Sequence, residues 1–356
     1  MLQIGSIFSR AKPIFLCSVL LVCGLNVSAQ AQNAQTNNSQ HKKLVVYSAR
    51  AEDLIKPVFD AYTKETGVKI EYITDKEGAL LQRLKTEGDR SPADVLLTVD
   101  VGNLWFAAKE GVLQPVESNV LKTNVPANLR DTGNQWFGLS LRARTIFFNP
   151  KKATRNELST YDDLASDKWR GRLCLRTSKK VYNQSLVAML IAQYGVEKAE
   201  AIVKGWVANL AVPPFADDTQ LLEAIASGQC AVGIANTYYF GRLMDKKPTL
   251  NLNIFWADQD KTKDNTSGVH VNVSGGGVTR ASKQRELAVS FLEWLSSNKA
   301  QNLFADDNME YPVNSSVKPA KTVANWGKFR ANSMNITRYG EFQAQAVMLM
   351  DRVGYQ

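Results

Sequence analysis

The chain has 356 residues, 44% hydrophobic and 22% charged. That is about twice a usual single domain and close to globular averages, so two domains are expected and a disordered, collagen-like or disulfide-dense chain is excluded. Lys and Arg number 43 against 34 Asp and Glu, a formal charge of +9 with no basic block interleaved with aromatics, so no nucleic-acid partner is expected, and only two histidines, His41 and His270, argue against a His-built catalytic or metal site.

Residues 1–29 read as a secretory signal. Arg10 and Lys12 precede an apolar stretch from Ile14 to Val27, too short for a comfortable membrane span, and small-residue cleavage patterns end at Ala29 and Ala31. The protein is therefore expected to be exported. Residues 30–42 are polar, low in complexity and read as a flexible tether. Cleavage leaves Cys174 and Cys230, and an exported protein with one cysteine pair is expected to bond it.

Beyond the tether, strands and helices alternate. Leu44 to Ser48 reads as a buried strand. Glu52 to Glu65 has helical apolar spacing stopped by Gly67, with Pro57 suggesting that the helix proper begins near it. A strand at 68–73, a helix at 79–87, a strand at 93–98 and a helix at 102–109 follow. This alternation predicts βαβ units and a parallel sheet. Residues 114–135 read as irregular. Trp136 to Leu141 and Thr145 to Asn149 read as extended segments flanking Arg142-Ala143-Arg144. A second series comprises a strand at 173–175, helices at 185–194, 197–209 and 219–227, and a strand at 230–236. Extended segments at 269–273 and 277–279 are split by Gly275-Gly276, a helix covers 287–296, and Tyr311-Pro312-Val313 forms a turn. Two series joined near 140 and 270 predict two lobes with two chain crossings and a ligand cleft between them. The expected lobes are 43–141 with 274–315, and 142–273 with 316–356.

Tyr238-Tyr239 follows a strand and so lies at a carboxyl end, where cleft residues arise. Tyr182 also follows a strand and precedes a helix. Three phenolates would form a hard, anionic oxygen set suited to Fe³⁺; spacing alone leaves ordinary core or surface tyrosines as the alternative. Arg50, just after the first strand, and Arg142 and Arg144, at the first crossing, are candidates for holding a carboxylate or carbonate, against the commoner surface arginine. The motifs of serine hydrolases, zinc proteases and P-loop enzymes are absent, so an enzyme is not expected.

Several segments together resemble one family: Val45 to Arg50, Pro92-Ala93-Asp94-Val95, Leu139 to Arg144, Asn236-Thr237-Tyr238-Tyr239 and Tyr311-Pro312-Val313. They look like the periplasmic ferric-iron-binding proteins of bacterial ABC importers, over residues from about 43 to 350. The resemblance implies an α/β, two-lobed class II periplasmic binding fold, each lobe a mostly parallel sheet flanked by helices. It also implies a monomer that captures Fe³⁺ between the lobes and delivers it to an inner-membrane ABC permease and its ATPase. By position, Tyr182, Tyr238 and Tyr239 match the second-lobe ligands, and Arg50 and Arg142 match holders of a synergistic anion, carbonate or a small carboxylate. The first lobe departs from the pattern. Ala51-Glu52 stands where some members have His or His-Tyr, and Val99 where others have Glu. Glu52 and Asp100 are the carboxylates left open there. The alternative on the same fold is a binder of polyamines, thiamine or phosphonates.

Overall fold

Alternating strands and helices fill the first third of the computed structural model, which describes residues 42–260 and 266–356. The signal expected over 1–29 and the tether up to residue 41 lie outside the described residues. The elements are β1 (Lys43–Ser48), α1 (Glu52–Thr66), β2 (Lys69–Thr74), α2 (Glu77–Glu87), β3 (Val95–Val99) and α3 (Val101–Lys109). Helix α1 buries Ile55, Val58, Phe59 and Tyr62 and stops at Gly67, whose φ of 72° only glycine adopts cheaply. It does not begin near Pro57 but runs through it. The missing N–H costs one bond to the Asp53 carbonyl on the exposed face, while the buried stripe holds the turn.

The segment read as irregular contains α4 (Asn119–Asn124), capped by the Ser118 hydroxyl. The two extended segments around Arg142 are one strand, β4 (Phe137–Phe148). The arginines looked like a break because charge is rarely buried. Here both are buried with carboxylate partners, so the strand continues. The second series is β5 (Leu173–Cys174), α5 (Val181–Tyr194), α6 (Val196–Ala208), α7 (Asp218–Ser227), β6 (Val232–Asn236), α8 (Thr237–Lys246), β7 (Asn253–Phe255) and β8 (His270–Val278). The chain ends with α9 (Arg285–Leu295), α10 (Asn298–Asn308), α11 (Lys321–Ala324) and α12 (Thr337–Arg352). Helix α12 packs on both α3 and α5, and Gly340 lets it approach: a Cβ there would lie 2.3 Å from Trp105 Cβ.

The strands form one sheet in the order β2-β1-β3-β8-β4-β6-β5, with β7 also on β4. The expected parallel pairing holds at the two ends, β2-β1-β3 and β6-β5. Strands β4 and β8, which join them, run antiparallel to all their neighbours. These are the two chain crossings expected near 140 and 270. Gly275-Gly276 does not split β8. The bare backbone is needed because Cβ atoms at Gly275, Gly276 and Gly277 would lie 2.3, 2.7 and 2.3 Å from the carbonyls of Phe137, Leu96 and Gln135.

The main core lies beneath β1 and β3 and extends under α5 and α6, and a second cluster joins α7, α8 and β6. In the second, Cys174 and Cys230 are bonded as expected, with 5.8 Å between their Cα atoms and a sequence separation of 56. The link ties β5 to the entry of β6, the strand that ends next to Tyr238. A loop of this length is worth about 2–4 kcal/mol. The Cys174→Ala, Cys230→Ala double variant should lose about that much in urea denaturation. An unchanged midpoint would contradict it.

Candidate metal centre

Two helix N-termini open into one cavity of about 250 Å³. Helix α5 places Tyr182 in its first turn, and α8, starting directly after β6, places Tyr238 and Tyr239 in its own. Neither helix has a side-chain cap, so both keep first-turn N–H groups and a positive dipole end near the phenols. The rings of Tyr238 and Tyr239 lie 4.4 Å apart, both on the cavity wall. Phe240, the next residue, turns into the core against Phe147 and Trp326. The strand-to-helix junction therefore frees both tyrosines.

Cations surround the three rings. The Arg142 guanidinium lies 5.0 Å from the Tyr182 ring centre, Lys180 Nζ 4.8 Å from the same ring, and Arg242 5.1 Å from that of Tyr238. Arg176 stands 5.8 Å from the Tyr239 ring and its Nη1 donates to the Tyr239 hydroxyl at 3.5 Å. Burial pushes the Tyr182 phenol up to about 12, with Arg142 pulling the other way. Burial, then repulsion from ionised Tyr182 and Tyr239, lifts Tyr238 well above the ordinary phenol range. At neutral pH these two phenols are thus protonated, and only a highly charged cation can displace their protons.

Arg50 and Arg142 also reach the cavity, but each already has a carboxylate. Arg50 Nη2 donates to Glu310 Oε2 at 3.0 Å and Nη1 to Ser140 Oγ at 3.3 Å. Arg142 Nη2 donates to Asp100 Oδ2 at 3.1 Å, with side chains 2% and 0% exposed. Asp100, at φ 76°, also accepts from the Gly102 N–H, Asn272 and the Ser185 hydroxyl. That saturation removes it as a ligand. Glu52 is exposed and accepts from the Tyr72 hydroxyl, and Tyr47 donates to Glu87, so neither serves the site. Arg144 is spent on Asp218 and Asn183 away from the cavity. Ala51 and Val99 line the cavity without a donor atom.

The sequence reading missed Arg176, Lys180, Arg242 and Glu77. Once α8 is recognised, Arg242 follows from its i+4 spacing to Tyr238. Glu77 carries no signal of its own, because its place depends on how α2 packs. Among the described residues no group of three His, Cys, Asp or Glu is placed to hold a metal ion. The phenolic oxygens of the cavity are hard ligands suited to a hard trivalent ion.

Because Arg142 neutralises a fully buried carboxylate, Arg142→Ala should destabilise the metal-free protein by about 3–5 kcal/mol in urea unfolding. Wild-type stability in that variant would show that the pair does not hold the crossing together.

The chain is similar to iron uptake protein A1 of Synechocystis, at 40% identity over 100% of this chain and 97% of that protein. It is similar in structure to a Trichodesmium protein, IdiA or FutA, solved in complex with iron and citrate ligands. The TM-score is 0.83 at 43% identity, covering 88% of this chain and 100% of the other. A Mannheimia haemolytica ferric iron-binding protein A in an open conformation gives a TM-score of 0.80 at 35% identity, covering 88% and 99%. The family model of the bacterial extracellular solute-binding proteins matches residues 48–302. With a class II periplasmic binding fold and a match over most of its length, the chain belongs to the bacterial extracellular solute-binding proteins.

Proposed function

We propose that this protein captures Fe³⁺ through Tyr182, Tyr238 and Tyr239 and delivers it, as a periplasmic monomer, to an ABC permease and its ATPase. One observation carries the reading: three phenols from two helix N-termini meet in one cavity whose other protein donors are largely committed elsewhere. The names of the relatives, iron uptake and ferric iron-binding proteins, support it. An organic-solute site is not favoured, since a polyamine would need free carboxylates where phenols stand.

In this reading each phenol gives up its proton as it bonds the ion, and the trivalent charge supplies the driving force. The two helix dipoles favour the resulting phenolates. The tyrosines belong to the lobe 142–273 with 316–356. Arg50 and Glu310 belong to the lobe 43–141 with 274–315, and β4 and β8 serve as the hinge between them. Arg50 and Arg142 would hold a carbonate or small carboxylate at positions the phenolates leave open. Their charge alone does not demand this, because both are paired. The support is spare donor capacity: Arg50 Nε has no partner, Arg142 spends only Nη2 on Asp100, and Arg242 makes no ion pair among the described residues.

Loading with Fe³⁺ should produce a visible phenolate-to-iron band. Each single Tyr→Phe change at 182, 238 or 239 should alter that band. Each should also weaken binding by more than the roughly 10–100-fold typical of losing a group behind a ligand. An unchanged Tyr239→Phe protein would reduce the set to two and count against iron.

Proton linkage provides a second check. The free phenols carry protons that the loaded protein lacks, so affinity must rise with pH and fall on acidification. If all three are displaced, affinity at fixed free Fe³⁺ falls about a thousandfold per pH unit. Titration in weakly buffered solution should find close to three protons released per iron, and release of fewer than two would contradict triple ligation.

A further inference from the structure

Four carboxylates stand at or beside the cavity on the side facing the tyrosines, and three are committed. Asp100 is fully buried and takes Arg142, Asn272, Ser185 and the Gly102 N–H. Glu310 binds Arg50 with both side chains under a tenth exposed. Glu52 points to solvent and takes Tyr72. Glu77 is different. It opens α2, lines the cavity, and has one partner among the described residues, Lys180 Nζ at 3.7 Å. That separation is too long for a hydrogen bond, and with side chains 30% and 23% exposed the pair is worth little.

We propose that Glu77 is a further ferric ligand, held near Lys180 in the free protein and transferred to the metal on loading. The proposal rests on the ferric reading above. Three phenolates leave positions open on the ion, and a carboxylate oxygen is a hard donor of the same class. On loading, the carboxylate moves from Lys180 to the ion. It exchanges a loose contact with a monovalent ammonium for a bond to a trivalent ion. The geometry also makes Glu77 a reporter of closure: it comes from α2 at the β2-β1-β3 end of the sheet, whereas Lys180 and Tyr182 open α5 beside the β6-β5 end. Its bond to the metal would therefore join two halves that the tyrosines alone do not bridge.

The test uses Glu77→Gln, Glu77→Asp and Lys180→Gln in the full protein, with Fe³⁺ supplied as its nitrilotriacetate chelate. Competition with that chelator gives affinity, and the visible band and the electron paramagnetic resonance of high-spin iron report the ligand set. Glu77→Gln should lose about tenfold or more in affinity and change the resonance, and Glu77→Asp should keep part of both. Lys180→Gln should bind iron more tightly than wild type, because it frees the carboxylate and removes a cation from beside the metal. A structural ion pair predicts the opposite pattern, in which Glu77→Gln and Lys180→Gln lose equally, and that result overturns the assignment. A normal wild-type band that is unchanged, with unchanged affinity, in Glu77→Gln overturns it as well and leaves the ferric reading standing. A wild-type protein with no visible band overturns both.

Discussion

The ion pair of Arg142 with Asp100 is the contact on which the rest of the structure depends. Asp100 begins α3 with a left-handed φ of 76°, accepts from Asn272 on β8 and Ser185 on α5, and is reached by Arg142 from β4. One carboxylate thus links the parallel block β2-β1-β3, both crossing strands and the helix that carries Tyr182. A buried pair of this kind repays its desolvation only when its remaining donors and acceptors are also satisfied, as they are for Asp100. The same guanidinium then faces the Tyr182 ring at 5.0 Å, so the contact that holds the crossing also sets the charge around the phenol.

The crossing imposes a second constraint, on volume. Strands β3, β8 and β4 approach so closely that three successive residues of β8 must lack side chains. A side chain at any of the three would push the strands apart. Arg50 and Glu77 come from the β2-β1-β3 end of the sheet, and the three tyrosines follow β5 and β6 at the other.

Much of this was legible in the chain. Strand and helix alternation from β1 to α3 followed from apolar periodicity, and Tyr182, Tyr238, Tyr239, Arg50 and Arg142 do line one cavity. Failures had local physical causes. Arg142 and Gly275-Gly276 looked like breaks, because a strand reading counts charge and glycine as interruptions. Burial with a partner and close backbone approach reverse both signals. Helix α12 escaped notice because its buried face depends on fitting against Trp105. The pairing of Arg142 with Asp100 and of Arg50 with Glu310 was invisible for a different reason. It joins residues 42 and 260 positions apart, a distance over which no periodicity reports.

The account rests on the claim that buried neutral phenols become ligands of a trivalent ion. A crystal structure of the iron-loaded protein, with iron located by anomalous scattering, tests it most directly. The predicted result is a single iron peak in the cavity bonded to the phenolic oxygens of Tyr182, Tyr238 and Tyr239. Iron outside this cavity, or iron here bonded to fewer than two of these tyrosines, would contradict the account.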